Sequence, residues 1–260
     1  MSFLSIAHTD VGIKKRTNQD SVLIKEASTD YGRVLLAVVC DGMGGLAKGE
    51  VASAALARAF SEWFENEFPY VLYEDSKEGN IDFDALQLSW NRLIDSTNRA
   101  IEAYGESFHA PCGTTLAALL LMNNHYYVVN VGDSRVYRLN ENFYQITKDQ
   151  TFVQREIDEG RMTEEEARNH PQRNVLLQCV GASNMIVPDF FEGTYNSGDL
   201  FMSCSDGFRH LITDEEFMKI IQPMQIKDEQ SMKNAAIYCT ELNKQRKEND
   251  NISVLLIKTI

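Results

Sequence analysis

Val34-Leu35-Leu36-Ala37-Val38-Val39-Cys40-Asp41-Gly42-Met43-Gly44-Gly45 runs straight from apolar side chains into an acid and a cluster of glycines. A short apolar run bounded by turn residues reads as a strand, and this one ends by placing a carboxylate at a turn. Outward from it, apolar runs and alternation mark further strands near Leu4 to His8, Ser21 to Lys25, Thr115 to Leu121, Tyr126 to Val131, Arg135 to Leu139, Phe143 to Thr147, Leu200 to Cys204 and Ile252 to Ile257. Asn123-Asn124 and Asn140-Glu141-Asn142 supply short turns, so residues 113–147 read as an antiparallel meander.

Helical periodicity appears in two long segments early in the chain. Ala52, Ala55, Leu56, Ala59, Phe60, Trp63 and Phe64 form one stripe; Phe83, Leu86, Trp90, Leu93, Ile94, Thr97, Ile101 and Tyr104 form another. Residues 66–80 between them are polar and read as a loop. Met232 to Lys247 reads as a further helix ahead of the last strand. The order predicts an α+β architecture of antiparallel sheets with helices packed outside. Lys148 to Ser183 stands apart as a polar stretch with two short helical patterns, a surface flap within one domain spanning residues 1–260.

Composition narrows the function. With 43% hydrophobic and 24% charged residues in 260, and only 5 Pro and 15 Gly, the chain reads as one globular domain. Its 38 acidic and 25 basic residues leave a net charge of −13, which repels phosphate backbones and anionic lipid and argues against nucleic acid as a partner. No apolar run approaches the roughly 20 residues of a membrane span, and no basic stretch followed by an apolar one opens the chain as a secretory signal would. The expected location is the cytoplasm. Five scattered cysteines without a C-x-x-C pair suit a reduced compartment and read as core filler. None has the arginine six residues downstream that a cysteine-based phosphatase requires. The five histidines lack metal spacing and read as surface or core residues.

Five aspartates sit where strands meet turns: Asp20, Asp41, Asp133, Asp206 and Asp250. Singly, each is an ordinary turn residue. Gathered by a rigid scaffold, they would repel one another and shift their pKa values unless cations neutralised them. An oxygen-only set favours Mg²⁺ or Mn²⁺ over zinc. Gly42, Gly44 and Ala47 formally match a dinucleotide fingerprint, but the chain continues as a helix where the second strand and its acid should follow, so no nucleotide cofactor is expected. The glycines fit better as backbone held close to a metal.

Asn18-Gln19-Asp20-Ser21, Asp41-Gly42-Met43-Gly44-Gly45, Cys112-Gly113-Thr114-Thr115, Gly132-Asp133-Ser134-Arg135, Ser205-Asp206-Gly207 and Asp250-Asn251-Ile252 occur in an order that resembles the protein phosphatase 2C family, metal-dependent serine/threonine phosphatases, and most of all its compact bacterial members. The resemblance implies an αββα sandwich with metals in a cleft at one edge. It implies that Asp41 bridges two metals, that Gly42 offers its carbonyl to one, and that Asp206 and Asp250 complete the other. Asp20 would order a water, and Asp133 matches the position that joins Asp206 around a third metal. The implied activity is hydrolysis of phosphoserine and phosphothreonine on protein substrates, opposing a serine/threonine kinase in cellular signalling. The alternatives are a catalytically inactive phosphoprotein-binding relative, which should have lost metal aspartates, and an enzyme acting on a regulatory protein of a partner-switching pathway.

Three positions depart from the family pattern. Lys15 stands where the family has a phosphate-binding arginine, with Arg16 adjacent; a lysine is a point charge, not a two-pronged clamp. Met43 replaces a histidine proposed as general acid in many eukaryotic members. Gln19 stands where many members have Glu, which removes a negative charge near the second metal.

Overall fold

The computed structural model describes residues 2–43, 48–74 and 80–260. Strands β1 (Phe3–Asp10), β2 (Asp20–Thr29) and β3 (Gly32–Met43) come first, followed by helices α1 (Gly49–Asn66), α2 (Phe68–Tyr73) and α3 (Phe83–Ser107). Next come β4 (Gly113–Thr114), β5 (Leu116–Met122), β6 (His125–Val131), β7 (Arg135–Leu139) and β8 (Phe143–Gln145), then α4 (Phe152–Asp158) and α5 (Glu164–Arg168). The chain closes with β9 (Asp189–Thr194), β10 (Leu200–Cys204), α6 (Asp206–Arg209), α7 (Asp214–Ile220), α8 (Glu229–Gln245) and β11 (Ile252–Thr259).

The strands form two antiparallel sheets, one ordered β1-β11-β10-β7-β8 and the other β2-β3-β5-β6-β9 with β4 paired to the end of β3. Strand β3 shows why they stack. Because side chains alternate across a strand, Val34, Leu36, Val38 and Cys40 pack with Leu56, Phe60 and Trp63 of α1 and Trp90 and Ile94 of α3. Leu35, Ala37 and Val39 point the other way, into a core shared with Phe201 of β10 and Leu255 and Ile257 of β11. On the outer face of that second sheet, Met202, Cys204, Val254 and Leu256 pack with Phe217 of α7 and Met232, Ala236 and Cys239 of α8. The layers therefore run helix, sheet, sheet, helix. With both faces covered, β3 has no need of polar alternation, which accounts for its unbroken apolar run.

Two sequence expectations are corrected. Residues 113–147 do not form one meander: β5 and β6 pair in one sheet and β7 and β8 in the other. The turn signals mark both hairpins correctly, but Gly132, at φ +95, carries the chain from one sheet to the other instead of reversing it. The expected loop at 66–80 contains α2, six residues with Pro69 in the first turn, too short to show periodicity; residues 75–79 lie outside the described residues. Strand β9 and helices α6 and α7 were not expected. Strand β9 is a half-exposed partner of β6 without clear alternation. Among the described residues, no helix is long and apolar enough to cross a membrane.

Candidate metal centre

The five aspartates come from both sheets. Asp20 opens β2 and lies opposite Asp41 of β3 in register. Asp133 occupies the crossing between β6 and β7, Asp206 follows β10, and Asp250 precedes β11. Antiparallel pairing brings these ends to one edge, with Arg135 opposite Cys204 and Cys204 opposite Val254. Hydrogen bonds then stitch the sheets together there. The Ser205 hydroxyl donates to Asp20 Oδ2 at 2.9 Å, and the Gln19 amide donates to Asn251 Oδ1 at 2.9 Å.

The family-like motifs acquire structural reasons. The Asp41 amide donates to Thr115 Oγ1 at 2.9 Å, while the Asp41 carbonyl accepts from the Thr114 hydroxyl at 3.0 Å and the Thr115 amide at 2.9 Å. The Thr115 hydroxyl also shares a 2.7 Å hydrogen bond with Ser134, beside Asp133. Gly42 is a glycine because a Cβ there would meet the Gly49 carbonyl oxygen at 2.3 Å and that of Gln19 at 2.4 Å. At Gly207 a Cβ would lie 2.1 Å from the Asn251 carbonyl oxygen, so the turns carrying Asp206 and Asp250 can approach only without a side chain between them. Gly44, Gly45 and Ala47 lie outside the described residues.

The electrostatics are those of crowded anions. Burial, reinforced by Asp20, Asp206, Asp133 and Asp250, holds the Asp41 carboxyl well above the usual carboxylate range. Asp20 is pushed up to about 6 by burial, against the hydroxyls of Ser253 and Ser205, with Asp206 and Asp250 adding to the rise. Burial and Asp206 raise Asp133 to about 7, against the opposing pull of Arg209. Among the described residues no three carboxylate, imidazole or thiol groups close on one point at ligand distance; the aspartates border a common space and are joined by mutual repulsion. Two buried oxygens there, Asp20 Oδ1 and Asp206 Oδ1, have no hydrogen-bond partner. The Lys15 ammonium reaches Asp250 Oδ1 at 2.7 Å, and its pKa is raised despite burial by Asp250, Asp41 and Asp206. An oxygen-only donor set, unpartnered buried acceptors and an attracted cation fit hard divalent ions at Asp41, Asp206 and Asp250.

The remaining candidates fall into place around this edge. Lys15 and Arg16 are both exposed, but it is the Lys15 ammonium that pairs with Asp250. Gln19 donates through Nε2 to Glu50 at 3.3 Å. Met43 is half-buried and pairs with Gly113. Four cysteines are buried and Cys179 is half-buried, all with free thiols. Two surface depressions, between β2 and α1–α2 and between α1 and α3, are lined by none of the five aspartates.

Sequence reading assigned no role to the ion network behind Asp133. Arg135 grips Asp149 with Nε to Oδ1 at 2.6 Å and Nη2 to Oδ2 at 2.8 Å, and Arg209 Nη2 donates to the Asp133 carbonyl at 2.9 Å. His210 lies between Asp206 and Glu248, at 3.7 Å from each. Arg135 was visible as the end of Gly-Asp-Ser-Arg, but nothing local marks its partner Asp149.

Comparison with known proteins agrees with this geometry. The family model described as Protein phosphatase 2C matches residues 12–239. The serine/threonine phosphatase stp of Listeria monocytogenes serotype 4b (strain F2365) is 30% identical over 254 residues, 96% of this chain and 93% of that protein. The serine/threonine protein phosphatase PstP of Mycobacterium tuberculosis (strain ATCC 25618 / H37Rv) is 34% identical over 219 residues, 83% of this chain. This chain spans only 38% of PstP's length. The solved catalytic domain of PstP in complex with 2 manganese ions has a TM-score of 0.76 at 30% identity, with 99% of this chain and 98% of that one covered.

Proposed function

This chain belongs to the protein phosphatase 2C family of metal-dependent serine/threonine phosphatases, and from that premise we propose that it removes phosphate from phosphoserine and phosphothreonine of protein substrates at the Asp41–Asp206–Asp250 edge. The observation that carries the reading is the convergence of these carboxylates from both sheets beside the unpartnered oxygens of Asp20 and Asp206. Asp41, the Gly42 carbonyl, Asp206 and Asp250 would hold two Mn²⁺ or Mg²⁺ ions. When bound, such a pair lowers the pKa of water and neutralises charge on the phosphoryl oxygens.

The chain's own groups do the rest. Asp20, with Oδ2 tied to Ser205, keeps Oδ1 as an acceptor that orients the attacking water. Lys15 leaves Asp250 to meet the substrate phosphate as a point charge. Met43 offers no proton to the leaving serine or threonine oxygen, so that proton comes from solvent or another group. Retention of Asp41, Asp206 and Asp250 weighs against an inactive phosphoprotein-binding relative. The physiological setting we infer is the cytoplasm, opposing a serine/threonine kinase.

Release of inorganic phosphate from a phosphoserine peptide, followed with Mn²⁺ and then with excess chelator, tests this. Turnover should vanish with the chelator and return with added Mn²⁺. Undiminished turnover in chelator would sink the reading.

A further inference from the structure

We propose that this chain works with two metal ions only, and that the guanidinium of Arg209 takes the place of a third cation at Asp133. The inference rests on the two-ion reading above and concerns the position that the family resemblance assigns to a third metal. Arg209 lies one helical turn after Asp206 on α6, with a side chain only 10% exposed. Its Nη2 donates to the Asp133 carbonyl at 2.9 Å and to Asp149 Oδ2 at 3.3 Å, and forms an ion pair with Asp133 Oδ2 at 3.6 Å.

Counting charges shows where the guanidinium's positive charge is directed. Asp149 already has a counter-ion in the two-pronged grip of Arg135. The two arginines together face the two carboxylates, Arg209 hydrogen-bonding Asp149 and reaching Asp133 Oδ2 at 3.6 Å, so this buried set of two cations and two anions leaves no net negative charge for a further cation to neutralise. A dication brought to the Asp133 carboxylate would meet this fixed positive charge at close range, where repulsion is strong because water is excluded. Nor can Arg209 easily step aside. Leaving would uncover a buried guanidinium and an unpaired carboxylate, which is the costly way to break a buried pair. Helix α6 is itself anchored, with Asn243 Nδ2 of α8 donating to the Phe208 carbonyl at 2.7 Å. His210 adds a further ionisable base on this side of Asp206. The Asp133 position thus does not fit a third metal, while Asp41, Asp206 and Asp250 fit two.

Equilibrium dialysis against Mn²⁺ with metal analysis of the full chain tests the proposal without recourse to activity. The wild type should bind two ions, and Asp133→Asn should bind the same number. Arg209→Met, which keeps the bulk and removes the charge, should acquire a third site bound at least about tenfold more tightly than any further binding to the wild type. Three ions on the wild type, falling to two in Asp133→Asn, would overturn the proposal while leaving the two-ion reading intact. That comparison stands even if Arg209→Met does not fold. A wild-type count below two that Asp41→Asn does not change would instead overturn the underlying two-ion reading, and this proposal with it.

Discussion

Lys15 and Arg16 are exposed neighbours that differ in their charged partners. The lysine is drawn toward Asp250, Asp41 and Asp206, and the arginine points to solvent. A cation that meets the phosphate in ground and transition states alike contributes uniform binding. Lys15→Ala is therefore expected to raise KM for a phosphoserine peptide by roughly tenfold with little change in kcat, as befits loss of one charge-assisted hydrogen bond. Arg16→Ala should leave both constants near wild type. Steady-state kinetics on the two variants decides it: a KM effect confined to Arg16→Ala would move the phosphate-binding role one residue along. The sequence could align a cation with this place, but choosing between adjacent ones depends on which side of the loop faces the carboxylates, and the loop is held from far along the chain by Asn251, whose Nδ2 donates to the Val11 and Thr17 carbonyls at 2.9 and 3.2 Å.

At the scale of elements, the site depends on turns that come close enough to exclude a side chain. Gly207→Ala would drive a Cβ into the Asn251 backbone and should destabilise the fold by about 1–3 kcal/mol in denaturant unfolding; wild-type stability would show that the two turns can separate freely. A second tie joins α7 to the end of α8. Glu216 completes a capping box with Thr213 and accepts from Arg246 at 2.7 and 2.5 Å. Arg246, with the Thr213 amide, holds the Glu216 carboxyl down to about 2, below its ordinary 4.5. A depressed carboxylate contributes stability above its unfolded pKa and loses it as pH falls toward the folded one. The Tm difference between wild type and Glu216→Gln should thus be full near neutrality and shrink as pH drops from 4.5 toward about 2; a difference independent of pH would assign the contact no ionic character. Long strands were legible because apolar content and turn residues are local signals. The sheet change at Gly132 was not, since a hairpin and a crossing begin with the same residues. The network of Arg209 was equally hidden, because it joins residues 60 and 76 positions apart.

For the molecule as a whole, a net charge of −13 and a crowded carboxylate edge make divalent cations stabilising ligands as well as cofactors. Mn²⁺ at a hundred times its dissociation constant should add about 2.7 kcal/mol for each site filled only in the folded state. Tm should therefore rise with Mn²⁺ in the wild type and rise less in Asp206→Asn; equal rises would place the ions elsewhere on the acidic surface. The fold class was readable because the layers follow from stripes and runs, and the aspartates because each borders such a run, Asp20 and Asp250 at its start and Asp41, Asp133 and Asp206 at its end. Their convergence was not readable from spacing, since it is created by pairing between distant strands, as with Asp20 opposite Asp41. The most direct test of the account is turnover of a phosphoserine peptide by Asp41→Asn at saturating Mn²⁺, with bound Mn²⁺ counted in the same sample. The variant should stay folded, lose bound metal and lose nearly all turnover. Wild-type turnover by a variant with a reduced metal count would contradict the claim that these carboxylates hold the ions that do the chemistry.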